Sequence, residues 1–354
     1  MNCQLKTEMN NQTCIFFQAP AELPYVIQLY DEYKDKSHVK IVVVNVYSNY
    51  EFIKSLNLAC AEIIFCEWPR IKKNIILSIP SIRRYLKDFW ALNFESTSEG
   101  NVFFFSASFD WVTAFFIRMF CHKEKFNVHY AGFNTTEVLL KEGYENGTMN
   151  KGLSLKDYVL LSALKFITGI RFDYLKKLPC VSYPYYKYGI KHEPFQLNTE
   201  AIAPYKYEIP SCDNKCVLLF TTTWDYEGDE IMNYVDERVC DIIKYLKDKG
   251  YQVIAKGHPR LGLADCIEKS VDLVLPNYVP AEFISTKGVQ MVMGINSAAI
   301  IYYAMHSDVK TVSLLKMIDG ISKEMVVGNV TMLAKMCGDK MLLPNSEEEL
   351  FRMM

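Results

Sequence analysis

Two periodicities alternate along the chain. Short runs of β-branched and aromatic residues are each followed by a longer stretch whose apolar positions fall three and four apart. In the first half the runs CIFFQ (14–18), VKIVVVNV (39–46), EIIFC (62–66), VFFFSA (102–107) and FNVHY (126–130) predict strands. The unbroken apolar run in VKIVVVNV predicts a strand buried on both faces. A helical pattern follows the first run through Tyr33, and helices are predicted over 108–122 and 154–169. The most apolar long run, NVFFFSASFDWVTAFFIRMFC (101–121), is broken by Ser106, Ser108, Asp110 and Arg118. That predicts a strand plus a helix rather than a membrane span.

Residues 176–214 break the rhythm. They carry prolines at 179, 184 and 194 and tyrosines at 183, 185, 186 and 188, which predicts a packed inter-domain linker over 179–214. The alternation then restarts. CVLLFTTT (216–223) predicts a strand, residues 228–249 a helix closed by Gly250, and YQVIAK (251–256), DLVL (272–275), VQMVMG (289–294) and VKTVSLL (309–315) four more strands. The pattern predicts an α/β chain of two Rossmann-like domains, 1–178 and 215–340, with a C-terminal helix in 341–354. Two such halves facing a central cleft would hold a ligand beyond the carboxyl ends of their strands.

A length of 354 residues suits two domains. Lys and Arg number 39 against 41 Asp and Glu, and a net charge of −2 argues against a nucleic-acid partner. Positive charge is local instead. The segment 69–90 holds Arg70, Lys72, Lys73, Arg83, Arg84 and Lys87, with Asp88 its only acid. It has two readings: a solvated face, or a surface for an anionic membrane or a growing anionic glycan. The interspersed Ile75, Ile76, Leu77, Phe89 and Trp90 fit peripheral membrane association. Eleven cysteines show no framework spacing, and the pair Cys212 and Cys216 lacks the second pair of a zinc site. Free thiols in a reducing cytosol are expected. The opening MNCQLKTEMNNQTC has no apolar core, so no signal peptide is expected. These points predict a cytoplasmic protein, with peripheral attachment to the inner membrane face as a second option.

The chemistry gathers at predicted strand ends. TTTWDYEG (221–228), KGHPR (256–260) and GINSAAI (294–300) each follow a strand, and NYVPAEF (277–283) follows another. An imidazole and two cations, His258 between Lys256 and Arg260, suit a phosphate that gains charge as a bond breaks. Pro259 stiffens the backbone and biases His258 toward an extended conformation. Ser297, beside Asn296, precedes an apolar helix over 298–305, and helix N-termini bind phosphate through free N–H groups. Glu282 suits a ribose diol, and Thr222 and Thr223 suit the opposite wall. Taken singly, each has a plainer role: a loop, a cap, a solvated acid.

Together these segments resemble the nucleotide-binding domain of bacterial sialyltransferases and polysialyltransferases of the GT-B fold. The His-Pro motif of that family matches Lys256, Gly257, His258, Pro259 and Arg260. Its proline-x-glutamate element matches Pro280, Ala281 and Glu282, and its serine motif matches Asn296, Ser297 and Ala298. The resemblance covers 216–315 and reaches the first half only by fold. It implies a histidine acting on the CMP phosphate, serines binding that phosphate, and a glutamate holding the ribose. It also implies a CMP-sugar donor carrying a nonulosonic acid such as sialic acid. The acceptor would be a lipooligosaccharide, O-antigen or capsule glycan. No cofactor is implied, and no D-x-D motif is present to chelate a metal.

One departure stands out. The family carries an acid-acid-glycine motif whose carboxylate is the general base. Here NVHYAGFN (127–134) keeps Gly132 but places Tyr130 and Ala131 at the acids. Tyrosine at its usual pKa is a poor base. Asp110, Glu137 and His129 are therefore the candidate bases, unless the mechanism is retaining or the motif lies elsewhere. Two further functions stay open: a transferase using CMP-Kdo or a UDP-sugar, and a non-catalytic nucleotide- or glycan-binding protein.

Overall fold

A computed structural model describes residues 11–45, 49–67, 80–81, 84, 87, 99–105, 126–131, 191–192, 196–210, 215–221, 229–259, 261–318 and 321–354. The chain divides into two compact units, Met1–Ala201 and Ile202–Met354, at a point inside the stretch read as linker.

The first unit contains β1 (Asn11–Phe17), β2 (His38–Asn45), β3 (Ala61–Glu67), β4 (Glu99–Phe104), β5 (Phe126–Tyr130) and β6 (Lys191–His192). They form one sheet in the order β3-β2-β1-β4-β5-β6, parallel throughout. β1 is central, and Cys14, Ile15, Phe16 and Phe17 are buried, as the apolar run predicts. The helix Leu23–Tyr33 follows, with a proline in its first turn. It buries Leu23, Val26, Ile27 and Tyr30, the three-and-four spacing of a helix lying on a sheet. Burial of a Leu, Val or Ile side chain typically stabilises by ~1.5–3 kcal/mol. Glu22 closes the turn between β1 and this helix: its Oε2 accepts from the Gln18 and Ala19 N–H groups at 2.7 and 3.0 Å.

The second unit contains β7 (Cys216–Phe220), β8 (Gln252–Lys256), β9 (Leu273–Val274), β10 (Val289–Gly294), β11 (Lys310–Ser313) and β12 (Met341–Leu342). Their order is β12-β11-β10-β7-β8-β9, again all parallel. Numbered within its own unit and read from β9, this order is 3-2-1-4-5-6, the same as in the first sheet. The expected tandem of Rossmann-like units is present. The helix Asp229–Asp248 buries Val235, Val239, Ile242, Ile243 and Leu246. Gly250 ends it at φ +81°, where the Gly250 N–H reaches the Lys247 carbonyl at 2.9 Å.

Several boundaries differ from the expectation. VFFFSA starts too late, because the polar Glu99, Gly100 and Asn101 already pair with β1. VKTVSLL ends at Ser313, after which residues Leu314–Met317 turn as a 3-10 helix. DLVL shrinks to Leu273–Val274. The edge strands β6 and β12 are two residues each and carry no periodic signal; β6 lies in the predicted linker and β12 in the predicted C-terminal helix. That helix itself runs from Glu347 to Met353. Cys60 is disulfide-bonded, which corrects the expectation of free thiols throughout. Cys14, Cys66, Cys216, Cys240, Cys266 and Cys337 are not in disulfides. Pairing depends on proximity, which spacing along the chain does not report. The predicted helices 108–122 and 154–169 and nearly all of 69–90 lie outside the described residues. No described helix is long and apolar enough to cross a membrane.

Candidate functional site

The strand order of the second sheet reverses between β7 and β10, the switch point where open α/β sheets hold ligands. Three strand ends are level there. Phe220 pairs with Lys256 on one side and with Gly294 on the other. Thr221, Gly257 and Ile295 therefore leave the sheet side by side, and the segments read as functional begin at one edge. Gly294 lets this happen: a Cβ there would lie 2.9 Å from Ile300 Cγ2 and 3.0 Å from the Phe220 carbonyl oxygen.

Ser297 caps the helix Ala298–His306. Its backbone is extended (φ −139°, ψ 151°), and its Oγ accepts from the Ile300 N–H at 3.4 Å. First-turn N–H groups of such a helix have no intrahelical acceptor and face the strand-end edge. Asn296 is anchored sideways, its Nδ2 donating to Asn329 Oδ1 at 2.9 Å. Asn329 lies on the helix Lys323–Cys337, and no signal in the sequence marked it.

The His-Pro segment is a tight loop. The His258 N–H donates to the Gly262 carbonyl at 3.0 Å, and the Gly262 N–H returns to the His258 carbonyl at 2.8 Å. Gly262 closes the three-residue turn at φ +77°. Gly257 lies against the returning chain: a Cβ there would sit 2.6 Å from Gly262 C and 2.9 Å from Leu263 N. His258 and Pro259 are half-buried. Arg260, Thr222 and Thr223 lie outside the described residues, as do Asp110 and Glu137.

Lys256 differs from its expected role. It is 3% exposed, and its Nζ donates to Gly257 O (2.9 Å), Asn277 O (3.2 Å) and Asn277 Oδ1 (3.3 Å). Three donors meet three protein acceptors, so the ammonium braces the loops instead of reaching a phosphate. Asn277 completes the brace, its Nδ2 donating to Pro259 O at 3.4 Å.

Glu282 is not a solvated acid. It sits in the 3-10 turn Ala281–Phe283, is 5% exposed, and its Oε2 has no hydrogen-bond partner. Tyr303 pins the turn from the helix, its hydroxyl shared between the carbonyls of Ala281 (2.5 Å) and Ile284 (2.8 Å). Its ring stacks on Phe220, with centroids 5.6 Å apart. Burial raises the Glu282 carboxyl above its ordinary value, and the fields of Lys206 and Lys256 oppose that rise. Burial lowers both lysines to about 8, with Glu282 opposing. Lys206, missed in the sequence, donates from Nζ to the Glu282 carbonyl and lies 5.4 Å above the Tyr302 ring.

In the first unit, Tyr130 ends β5 and the Ala131 N–H donates to the Phe104 carbonyl at 2.9 Å. His129 pairs with Phe103 across the strands and stacks on it, with centroids 4.8 Å apart. Its Nε2 lies 3.1 Å from Asn101 Oδ1, upstream toward the amino end of the sheet. That geometry makes His129 a core histidine rather than a base at the strand ends. Among the described residues no group of three or more His, Cys, Asp or Glu could hold a metal ion.

All three quoted motifs fall inside one matched segment. Residues 187–316 match the alpha-2,8-polysialyltransferase (POLYST) family model. The matched segment runs from before β6 through β11 and contains 256–260, 280–282 and 296–298. It supports a sialyltransferase-like glycosyltransferase. No curated protein matches the sequence. Among solved structures, the chain is similar to a UDP-GlcNAc 2-epimerase from Neisseria meningitidis bound to UDP-GlcNAc, at 12% identity and a TM-score of 0.44, covering 97% of this chain and 90% of that one. It is also similar to the glycosyltransferase SnogD from Streptomyces nogalater, at 7% identity and a TM-score of 0.41, covering 97% and 99%. The glycosyltransferase VinC in complex with DTDP is similar at 11% identity and a TM-score of 0.43, covering 96% and 87%.

Proposed function

We propose that the protein transfers a nonulosonic acid, sialic acid by preference, from its CMP conjugate to a hydroxyl of a surface glycan. The observation that carries this reading is the coincidence of the polysialyltransferase match with the level strand ends of β7, β8 and β10. The phosphate of CMP lies at the first turn of Ala298–His306, with Ser297 at its edge. His258 faces it from the neighbouring loop and protonates or hydrogen-bonds the phosphate oxygen as the anomeric C–O bond breaks. Glu282 accepts from the ribose hydroxyls through the buried oxygen that lacks a partner. Lys256 holds the loops that carry His258 and Asn277 and adds positive field. An acceptor oxygen, deprotonated by a first-unit side chain, attacks the anomeric carbon, and CMP leaves. The basic segment 69–90 serves the anionic acceptor glycan or the membrane face that carries it.

The test is donor turnover with CMP-sialic acid, CMP-Kdo and UDP-sugars, each with a glycan acceptor. CMP release from CMP-sialic acid alone is expected. Release from CMP-Kdo or UDP from a UDP-sugar would reassign the donor, and CMP binding with no turnover of any donor would make this a binding protein. By calorimetry, His258→Ala and Ser297→Ala should each weaken CMP, by about tenfold (1.4 kcal/mol). Unchanged affinity in both would move the nucleotide elsewhere.

A further inference from the structure

The linker-derived segment that opens the second unit is built into the nucleotide side of the fold. Tyr207 pairs in parallel with Ile284: its N–H donates to the Phe283 carbonyl at 2.7 Å, and the Ser285 N–H donates to the Tyr207 carbonyl at 2.9 Å. One residue earlier, Lys206 sends its Nζ to the carbonyl of Glu282 itself. The 281–283 turn is thus gripped from two sides, by the Lys206–Tyr207 segment and by the Tyr303 hydroxyl. Inside that grip lies a 5% exposed carboxylate with a spare oxygen.

A buried carboxylate tends to neutralise itself by taking up a proton. A protonated Glu282 would have one fewer acceptor for a diol. The charges facing it are Lys206 on the 203–207 segment and Lys256 at the end of β8, with the neutral Tyr303 phenol on the helix. Lys256 is committed to three protein acceptors, whereas Lys206 donates to Glu282's own main chain. Around Lys206 stand Glu282, the Tyr302 ring and His306, with Lys340 also near His306.

We propose that Lys206 is a positioning residue for Glu282. It fixes the turn that aims the carboxylate and keeps that carboxylate charged for a ligand's paired hydroxyls. The inference rests on the nucleotide reading above, and it makes the segment that opens the second unit part of the donor site's support. A ribose binds only where turn and charge are both in place.

The experiment is a double-mutant cycle on the full chain with Lys206→Met, Glu282→Gln and the pair. CMP affinity is read by calorimetry from pH 6 to 9, and urea midpoints are read alongside. Lys206→Met should weaken CMP by about tenfold at pH 7, and by less than about threefold when Glu282 is already Gln. Lys206→Arg, which keeps its charge at all these pH values, should restore affinity and hold it above pH 8, where the wild type declines. Should Lys206→Met not fold, Lys206→Gln takes its place. Equal loss in both Glu282 backgrounds, or a lower urea midpoint with unchanged CMP affinity, would overturn the proposal. If the wild type binds no CMP, the donor reading fails separately. The urea midpoints then decide alone: coupled effects of the two substitutions uphold the Lys206–Glu282 link, and additive effects refute it.

Discussion

Gly257 has no room for a side chain, and the reason is backbone rather than ligand. Its missing Cβ would meet the main chain of Gly262 and Leu263 at 2.6–2.9 Å. Neither neighbour is the far end of a flexible side chain, so the loop itself would have to open. Gly257→Ala should therefore destabilise the second unit by about 2 kcal/mol or more, read as a lower urea midpoint. Gly262→Ala acts differently: nothing lies near its Cβ, but φ +77° strains any L side chain, at a cost of about 1 kcal/mol. The same scale separates Lys256 from His258. Both are polar, and both belong to one five-residue motif, yet Lys256 is buried with its donors satisfied by protein, and His258 stays half-buried at the edge.

At the scale of elements, the Lys206–Glu282–Lys256 cluster ties three segments together, and its charges give a pH signature. Burial brings each lysine from 10.5 to about 8 in the folded chain. Between those values the unfolded chain holds more protons, so stability rises with pH there, by up to about 1.4 kcal/mol per pH unit for each lysine. Glu282, raised by burial, has the opposite sign: its contribution is present at low pH and is lost as pH rises through its carboxyl range. Urea midpoints between pH 8 and 10 should climb less in Lys206→Met than in the wild type. An unchanged slope would show that Lys206 does not titrate in that window. Caps set a second element-scale expectation. Ser297→Ala should cost ~1 kcal/mol of stability through the lost Ile300 N–H acceptor, apart from its effect on CMP.

For the whole molecule, the two units share one strand order, and only the second carries the matched motifs. The missing base is expected from the first unit. Asp110→Asn or Glu137→Gln should slow transfer about 100-fold at saturating donor, within the range typical of general-base loss, with CMP affinity unchanged. His129→Ala should lower stability instead, because its ring stacks on Phe103 and its Nε2 meets Asn101. Near-normal turnover in both acid variants would favour a retaining or substrate-assisted route. Much of this architecture was legible in advance. The buried strands announced themselves because a parallel strand covered on both faces is largely apolar, as in the Ile41–Val44 run of VKIVVVNV. The helix after β7 was legible from its spacing and from Gly250. The His-Pro and Asn-Ser segments were legible because each follows a strand end closely, where side chains leave the sheet, whereas five residues separate Pro280 of the Pro-x-Glu turn from the end of β9. By itself, then, the sequence determined the alternation of elements and the tandem Rossmann-like plan, since both depend on local pattern, while the pairing of Phe220 with Lys256 and Gly294 is what sets three strand ends level. Tertiary structure alone decided the rest. The two-residue strands β6 and β12 are too short for a period and exist only because a longer neighbour offers them a ladder. Lys206 and Glu282 lie 76 residues apart, and Asn277 and Lys256 lie 21 apart, so no local pattern could join them. Burial at those contacts changes what each charge does, and burial is a property of the folded chain.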